Sequence, residues 1–430
     1  MDYLTHGFKT QAQRPTASAP APAAIAQTVL EPRLPLGQII LLAALTALLA
    51  TSIEGFSPAM PAIANALATD AAHISAAISA FVISFAIAQL IAGSLADALG
   101  RRPVVLVGLG IFIAGSLMSA FASSFMLLLL ARVVQGIGAA AAVLLARTIV
   151  RDQLPREAAA RALALIGIFF SMTPILAPMI AAVLIVLGGW RAPLFAMALM
   201  GSVIWIISLR RLPETLPPQK RLPFDAMDLL RSLGNLLRSR TLMAYVVANA
   251  LSYSGILLFS AAAPQVMIGT LAASTVAYAM LFGMSSIGFL GGNALSFRLV
   301  KTRGVDATLR FGTSFLLIGP FLILAISWFW PNAWPAMVLA HSIYMFGWGV
   351  VQPQAQAGAL SAHPEAIGQA SSLIGFIQLA IGGAIVGLFA AVTNGAPASL
   401  GVAMLLCGAA ASVWANISIR PGGINARHIS

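Results

Sequence analysis

About twenty consecutive apolar residues, repeated twelve times along one chain, leave very little choice of fold. The segments run approximately over 38–60, 75–96, 103–122, 125–146, 163–187, 192–209, 243–263, 276–296, 309–329, 334–354, 367–391 and 397–418. Each is long enough to cross the roughly 30 Å hydrocarbon core of a bilayer as a helix. Across the 430 residues, 60% are hydrophobic and only 8% charged, with a mean hydropathy of +0.94. Soluble domains carry about 25% charge. In lipid each backbone N–H needs a partner within its own segment, so an all-α polytopic membrane protein follows.

The formal charge of +12 would suggest nucleic acid in a soluble chain. Here the basic residues lie in alternate connections and no basic patch is interleaved with aromatics, so no nucleic-acid partner is expected. The odd-numbered connections hold only Arg191. The even-numbered ones hold Arg101 and Arg102, then Arg147 to Arg161, Arg210 to Arg240, and Arg298 to Arg310. By the positive-inside rule both termini face the cytoplasm. The connection near His363 and Glu365 has no Lys or Arg and is silent on that rule. Cys407, the single cysteine, excludes an intrachain disulfide. No His, Cys or acid spacing suits a metal, and no enzyme motif or ATP site is present; Gly136 and Gly138 mimic a dinucleotide fingerprint but follow no strand.

Five regions result: a disordered cytoplasmic tail over 1–35, a six-helix bundle over 36–211, a charged Pro-rich cytoplasmic linker over 212–241 with one interfacial helix at Phe224–Leu237, a second six-helix bundle over 242–418, and a cytoplasmic tail over 419–430. The halves read as repeats. Gly292 to Gly304 (GNALSFRLVKTRG) occupies the place that Gly93 to Arg102 has in the first half, without an acid at the Asp97 position. Gly288/Gly292 and Gly383/Gly387 make GxxxG pairs that suit helix packing within a bundle.

Glu54 is the most informative single residue. Of twelve acids, eleven fall in tails, loops or segment ends, whereas Glu54 lies within the first spanning segment. A carboxylate there is expensive unless it meets a polar interior or is protonated, which suggests a proton and substrate-coupling site. A structural ion pair is the plainer reading. Pro58 and Pro61 predict a bend just beyond it. Arg132, in the fourth segment, is the expected partner. At 1.5 Å per residue Glu54 lies roughly 24 Å from the inner end of its segment and Arg132 about 10 Å from the outer end of its own, so both fall in the outer half. A nearby cation favours the ionised acid and burial favours the neutral one.

Other candidates are weaker. His341, Tyr344, Trp348 and Gln352 share one helical face and could line a cavity or simply pack. Gln89, Asn249, Tyr253, Gln265 and Gln378 are further polar residues within spans.

Several of these stretches carry a resemblance. GSLADALGRRPVVL, from Gly93 to Leu106, resembles the cytoplasmic loop motif GxLaDrxGrkxxl of the major facilitator superfamily, with Gly93, Leu95, Asp97, Gly100, Arg101, Arg102 and Leu106 matching. TSIEGFSPAMPAI resembles the first-helix motif of its Bcr/CflA branch of twelve-helix drug/proton antiporters, with Glu54 where that branch usually has Asp. LARVVQGIGAA is similar to its fourth-helix motif at Arg132, Gln135, Gly136 and Gly138, and ARTIVRD (Ala146 to Asp152) fits as well. TPILAPMIAA resembles the antiporter motif at Pro174, Ala177 and Pro178, with Ala181 and Ala182 where the family has glycines. RLPETLPPQKRLPF is similar to the family's central loop and GQASSLIGF to its eleventh helix.

The resemblance, over about 36–418, implies the major facilitator fold with 12 transmembrane helices in two pseudo-symmetric six-helix bundles. It implies that Asp97 and Arg101 help latch the halves in the outward-facing state, and that Pro174 and Pro178 shape an interface helix. The function it implies is proton-coupled export of small amphipathic drug-like compounds across the bacterial inner membrane by an antiporter; separately, no cofactor and a monomer are expected. The alternative is export of a native metabolite (a nucleoside, sugar or siderophore) with incidental drug resistance.

Overall fold

The computed structural model describes residues 34–419, apart from 222, 224, 363–366 and 394. Nearly all of the two expected tails and the His363–Glu365 connection therefore lie outside the described residues. Among the described residues there is no strand.

The first crossing is α1 (Leu36–Glu54) and α2 (Met60–Ala66), joined by a 3-10 turn at Ser57–Ala59. Pro58 cannot donate into a continuing helix, so the bend expected just after Glu54 is present. Five helices complete the first half: α3 (Ala71–Leu99), α4 (Arg101–Ala120), α5 (Phe125–Gln153), α6 (Arg156–Gly188) and α7 (Ala192–Arg211). The linker carries α8 (Ala226–Leu237), close to the helix expected there. The second half is α9 (Arg240–Pro264), continued by a π turn over Gln265–Thr270, then α10 (Thr275–Ser285), α11 (Ile287–Phe329), α12 (Trp334–Ser361), α13 (Ile367–Val392) and α14 (Pro397–Ser418).

Eleven helical stretches are long and apolar enough to cross a membrane, but one of them, Thr275–Phe329, has 55 residues. At 1.5 Å per residue it would measure about 80 Å, far beyond a bilayer core. It turns back at Gly304, whose φ of 75° and ψ of 176° interrupt α11. The described residues thus make twelve membrane-length crossings. Gly100 does the same work between α3 and α4 at φ 102°, ψ 157°. Both glycines take a left-handed φ that other residues rarely adopt, and both sit at the corresponding turn of the two halves.

Helices α3 and α6 of the first half pack on α13 and α10 of the second. The side of the molecule carrying Arg101, Arg102 and Arg210 is called the basic face below, and the opposite side the far face. Gly288 and Gly292 let α11 press on the backbone of α12 at Ser342 and Phe346, as expected for packing within a half. Gly383 and Gly387 instead face Ile83 and Ser79 of α3, so this pair packs across the halves rather than within one.

Candidate functional site

Glu54 closes α1 and is 9% exposed. Its Oε1 accepts a hydrogen bond from Ser260 Oγ at 3.1 Å, and its Oε2 has no hydrogen-bond partner. Ser260 belongs to α9, so the acid of the first half is bound by the second. Next to it Ser57 Oγ donates to the Ser260 carbonyl at 2.7 Å. Two further bonds cross between the halves toward the far face: Ser75 Oγ to the Ala261 carbonyl at 2.9 Å and Ser79 Oγ to the Gly383 carbonyl at 2.9 Å. The far face is fastened shut around Glu54.

Arg132 is fully buried but does not bond Glu54. One Nη donates to Gln135 Oε1 and the other to the Ser52 carbonyl at 2.8 Å. Its guanidinium lies 4.5 Å from the ring centre of Phe56 and 4.4 Å from that of Phe81. Gln135 Nε2 in turn donates to Ser116 Oγ at 2.8 Å. Arginine suits this position because its planar fork bonds two acceptors while its faces stack on aromatics. The expected direct pair is thus replaced by an indirect one: Arg132 holds the backbone two residues before Glu54 and the ring two residues after it. Close packing places this network. A Cβ on Gly136 would overlap the Phe81 carbonyl and Ser84 Oγ, so the close approach of α5 to α3 at this point needs a glycine.

The loop motif forms a second cluster on the basic face. Arg101 Nη1 lies 2.6 Å from Asp97 Oδ1, and Arg101 Nε donates to Asp152 Oδ2 at 3.2 Å. Glu214, from the linker, adds what sequence reasoning missed. Its Oε1 accepts the Arg101 N–H at 3.0 Å and its Oε2 the Arg102 N–H at 3.2 Å. These are the first two amides of α4, which lack intrahelical partners. Thr215 Oγ1 donates to Asp152 Oδ2 at 2.9 Å, and Arg102 Nη2 to the Leu209 carbonyl at 2.6 Å. Each of these bonds stays within the first half and the linker. Past this anchor, α8 packs on α9 and α13 of the second half. One linker therefore holds both halves. The signal for Glu214 was its place as an acid in an otherwise basic stretch; nothing local marks Ser260.

Gly93 lies on α3 four residues before Asp97. In α6, Pro174 and Pro178 both lie inside the helix, and Ala177 is buried beside them. The corresponding turn in the second half has Lys301 three residues before Gly304, where the first half has Asp97 three before Gly100; Lys301 Nζ lies 4.5 Å from the Phe297 ring centre. Just after that turn, Asp306 Oδ1 accepts from Tyr245 Oη at 2.6 Å. The charge pattern of the first half is not repeated.

The α12 stripe divides. Tyr344 donates to the Ser252 carbonyl at 2.9 Å and is fully buried, which is packing. His341 stacks on Phe259 at 3.8 Å between ring centres; its Nδ1 is 3.2 Å from Ser285 Oγ and its Nε2 is buried without a partner. Trp348 stacks on Phe289 at 4.5 Å and meets Tyr253 at 5.5 Å, again with an unpartnered Nε1. Gln352 is half-buried. Asn249 Nδ2 donates to Gln378 Oε1 at 2.7 Å, while Asn249 Oδ1 and Gln265 Nε2 are unpartnered. Gln89 lies against Gly375 of α13. Among the described residues no group of three or more His, Cys, Asp or Glu could hold a metal.

Comparison with known proteins adds the family. The model of the Major Facilitator Superfamily matches residues 40–387. Multidrug resistance protein D of Escherichia coli is 30% identical over 327 residues, covering 74% of this chain and 79% of that protein. The bicyclomycin resistance protein homolog of Haemophilus influenzae is 26% identical over 294 residues, covering 67% and 73%. Among solved structures, a D-xylose-proton symporter superposes with a TM-score of 0.73 at 15% identity, over 89% of this chain and 98% of that one. The nucleoside transporter NupG gives 0.68 at 15%, over 88% and 98%. The chain belongs to the Major Facilitator Superfamily and is a membrane transporter, not an enzyme.

Proposed function

We propose that the protein exports small amphipathic compounds from the cytoplasm across the bacterial inner membrane in exchange for protons, with both termini cytoplasmic and the basic face inside. One observation carries the reading: Glu54 is a buried carboxylate with one oxygen held by Ser260 of the opposite half and the other free. Such an acid can take up or release a proton at its free oxygen, and the bond to Ser260 forms only when the halves meet. Protonation and closure of the far face are thereby linked at one residue. With the far face open, Glu54 takes a proton from outside. The halves close over it, the basic face opens, the proton leaves inward and a substrate binds. Arg132 sets the geometry of the α1 bend. The names of the resistance proteins quoted above support a drug-like cargo.

The test is accumulation of a panel of fluorescent amphipathic compounds in energised everted membrane vesicles. Uptake that collapses on adding a protonophore supports the reading. Uptake that survives the protonophore removes proton coupling, and uptake confined to sugars, nucleosides or siderophores supports the native-metabolite alternative.

A further inference from the structure

A cavity of about 590 Å³ opens in the flank of the first half, between α6 and α7, with α1 as its floor. It falls in the size range of ligand sites. Small residues make the space: Ala47 on α1 and Gly55 just after it, Ala177 and Ala181 on α6, and Ala196 on α7 all line it. Its mouth faces away from the second half. Ile175 is the α6 residue that meets Gly283 of α10. Phe169, Met172, Leu176 and Ile180, spaced i, i+3, i+7 and i+11, form a different stripe, and all four are exposed and line the cavity. Helix α7, the other lip, packs on α4, α1 and α6. Thr51 on the floor is about 22 Å along α1 from Leu36, at hydrocarbon depth and nearer the far face.

We propose that this cavity is a binding site for one acyl chain of a bilayer lipid. The chemistry of the wall selects the occupant. It is apolar apart from Thr51 and Thr173, and no buried polar atom lacking a partner lies on it. The orphaned groups gather elsewhere, on Glu54, His341, Trp348 and Asn249. A polar cargo seated here would leave its own groups unpaired, which disfavours it; a hydrocarbon chain has none to pair. Methionine side chains at 172, 197 and 200 can adjust to a flexible chain. The site touches the coupling region: Met197 Sδ is 3.8 Å from Gln135 Nε2, and Gly55 adjoins Glu54.

The experiment places the full chain in nanodiscs containing phosphatidylethanolamine with a diazirine on its acyl chain, followed by irradiation and peptide mass spectrometry. Adducts are expected inside the cavity, on Thr51 and Met197, as well as on the lipid-facing Leu187 and Leu199. Ala181→Phe and, from the opposite wall, Ala196→Phe should each abolish the interior adducts and leave those on Leu187 and Leu199, the latter reporting that the variant is folded. The proposal is overturned if Thr51 and Met197 are unlabelled in the wild type, if filling the cavity leaves their labelling intact, or if a transported compound competes the label away, since the site would then belong to the cargo.

Discussion

Removing the Glu214 carboxylate should loosen the start of α4 by a measurable amount. In Glu214→Ala the amides of Arg101 and Arg102 lose acceptors at 3.0 and 3.2 Å. Both are first-turn groups with no intrahelical alternative. Loss of a helix cap is worth about 0.5–2 kcal/mol, and a negative charge near a helix N-terminus a further 0.3–1 kcal/mol or so. Glu214 is partly exposed, with about a quarter of its side chain accessible, so solvent screening keeps the total near 1–3 kcal/mol. That range corresponds to a 5–150-fold faster opening of these amides. Hydrogen–deuterium exchange on a peptide covering residues 98–106 reads it directly. Glu214→Gln should recover part of the protection, because it restores one acceptor without the charge. Protection in Glu214→Ala equal to wild type would refute the reasoning, since the linker would then not be holding the helix.

Three further outcomes follow from the same geometry. Arg132→Ala strands the Ser52 carbonyl and Gln135 Oε1 in a buried space, a loss of roughly 2–6 kcal/mol at 1–3 per orphaned group, and the yield of monodisperse protein should collapse; Arg132→Lys should recover little, because an ammonium lacks the fork and the flat faces. Gly136→Val should fail to fold by the same assay, whereas Gly110→Val, where an added Cβ meets nothing within 4 Å, should behave as wild type. Asp152→Asn weakens acceptors used by both Arg101 and Thr215, and limited proteolysis of the linker between Arg211 and Arg221 should quicken as its anchor loosens.

Much of the architecture was legible because lipid allows so few solutions. Segment length set the number of crossings, and the stretches Gly93 to Arg102 and Gly292 to Gly304 marked corresponding places in the two halves. The bend after Glu54 could be read from Pro58, and the linker helix was expected close to where it lies. What resisted was every feature that depends on which helix faces meet. Depth along α1 and α5 put Glu54 and Arg132 at similar levels, but depth says nothing of azimuth: Arg132 turns to Phe56, Phe81 and Gln135, and Glu54 to Ser260. A serine in an apolar helix carries no signal of its own, so Ser57, Ser75, Ser79 and Ser260 became visible only where each reached across to the other half. The same holds for Gly383 and Gly387, whose spacing shows close approach without naming the partner. Tyr344 and Trp348 share a helical face in sequence, yet one bonds a carbonyl of α9 while the other stacks on α11.

Coupling of proton movement to export at Glu54 can be read in proteoliposomes enclosing a pH-sensitive dye. Proton movement evoked by a transported compound is compared among wild type, Glu54→Gln and Glu54→Asp. The compound should drive protons in the wild type, Glu54→Gln should abolish this flux while remaining folded, and Glu54→Asp should retain it. Undiminished proton flux in Glu54→Gln would contradict the account and assign the proton to another group.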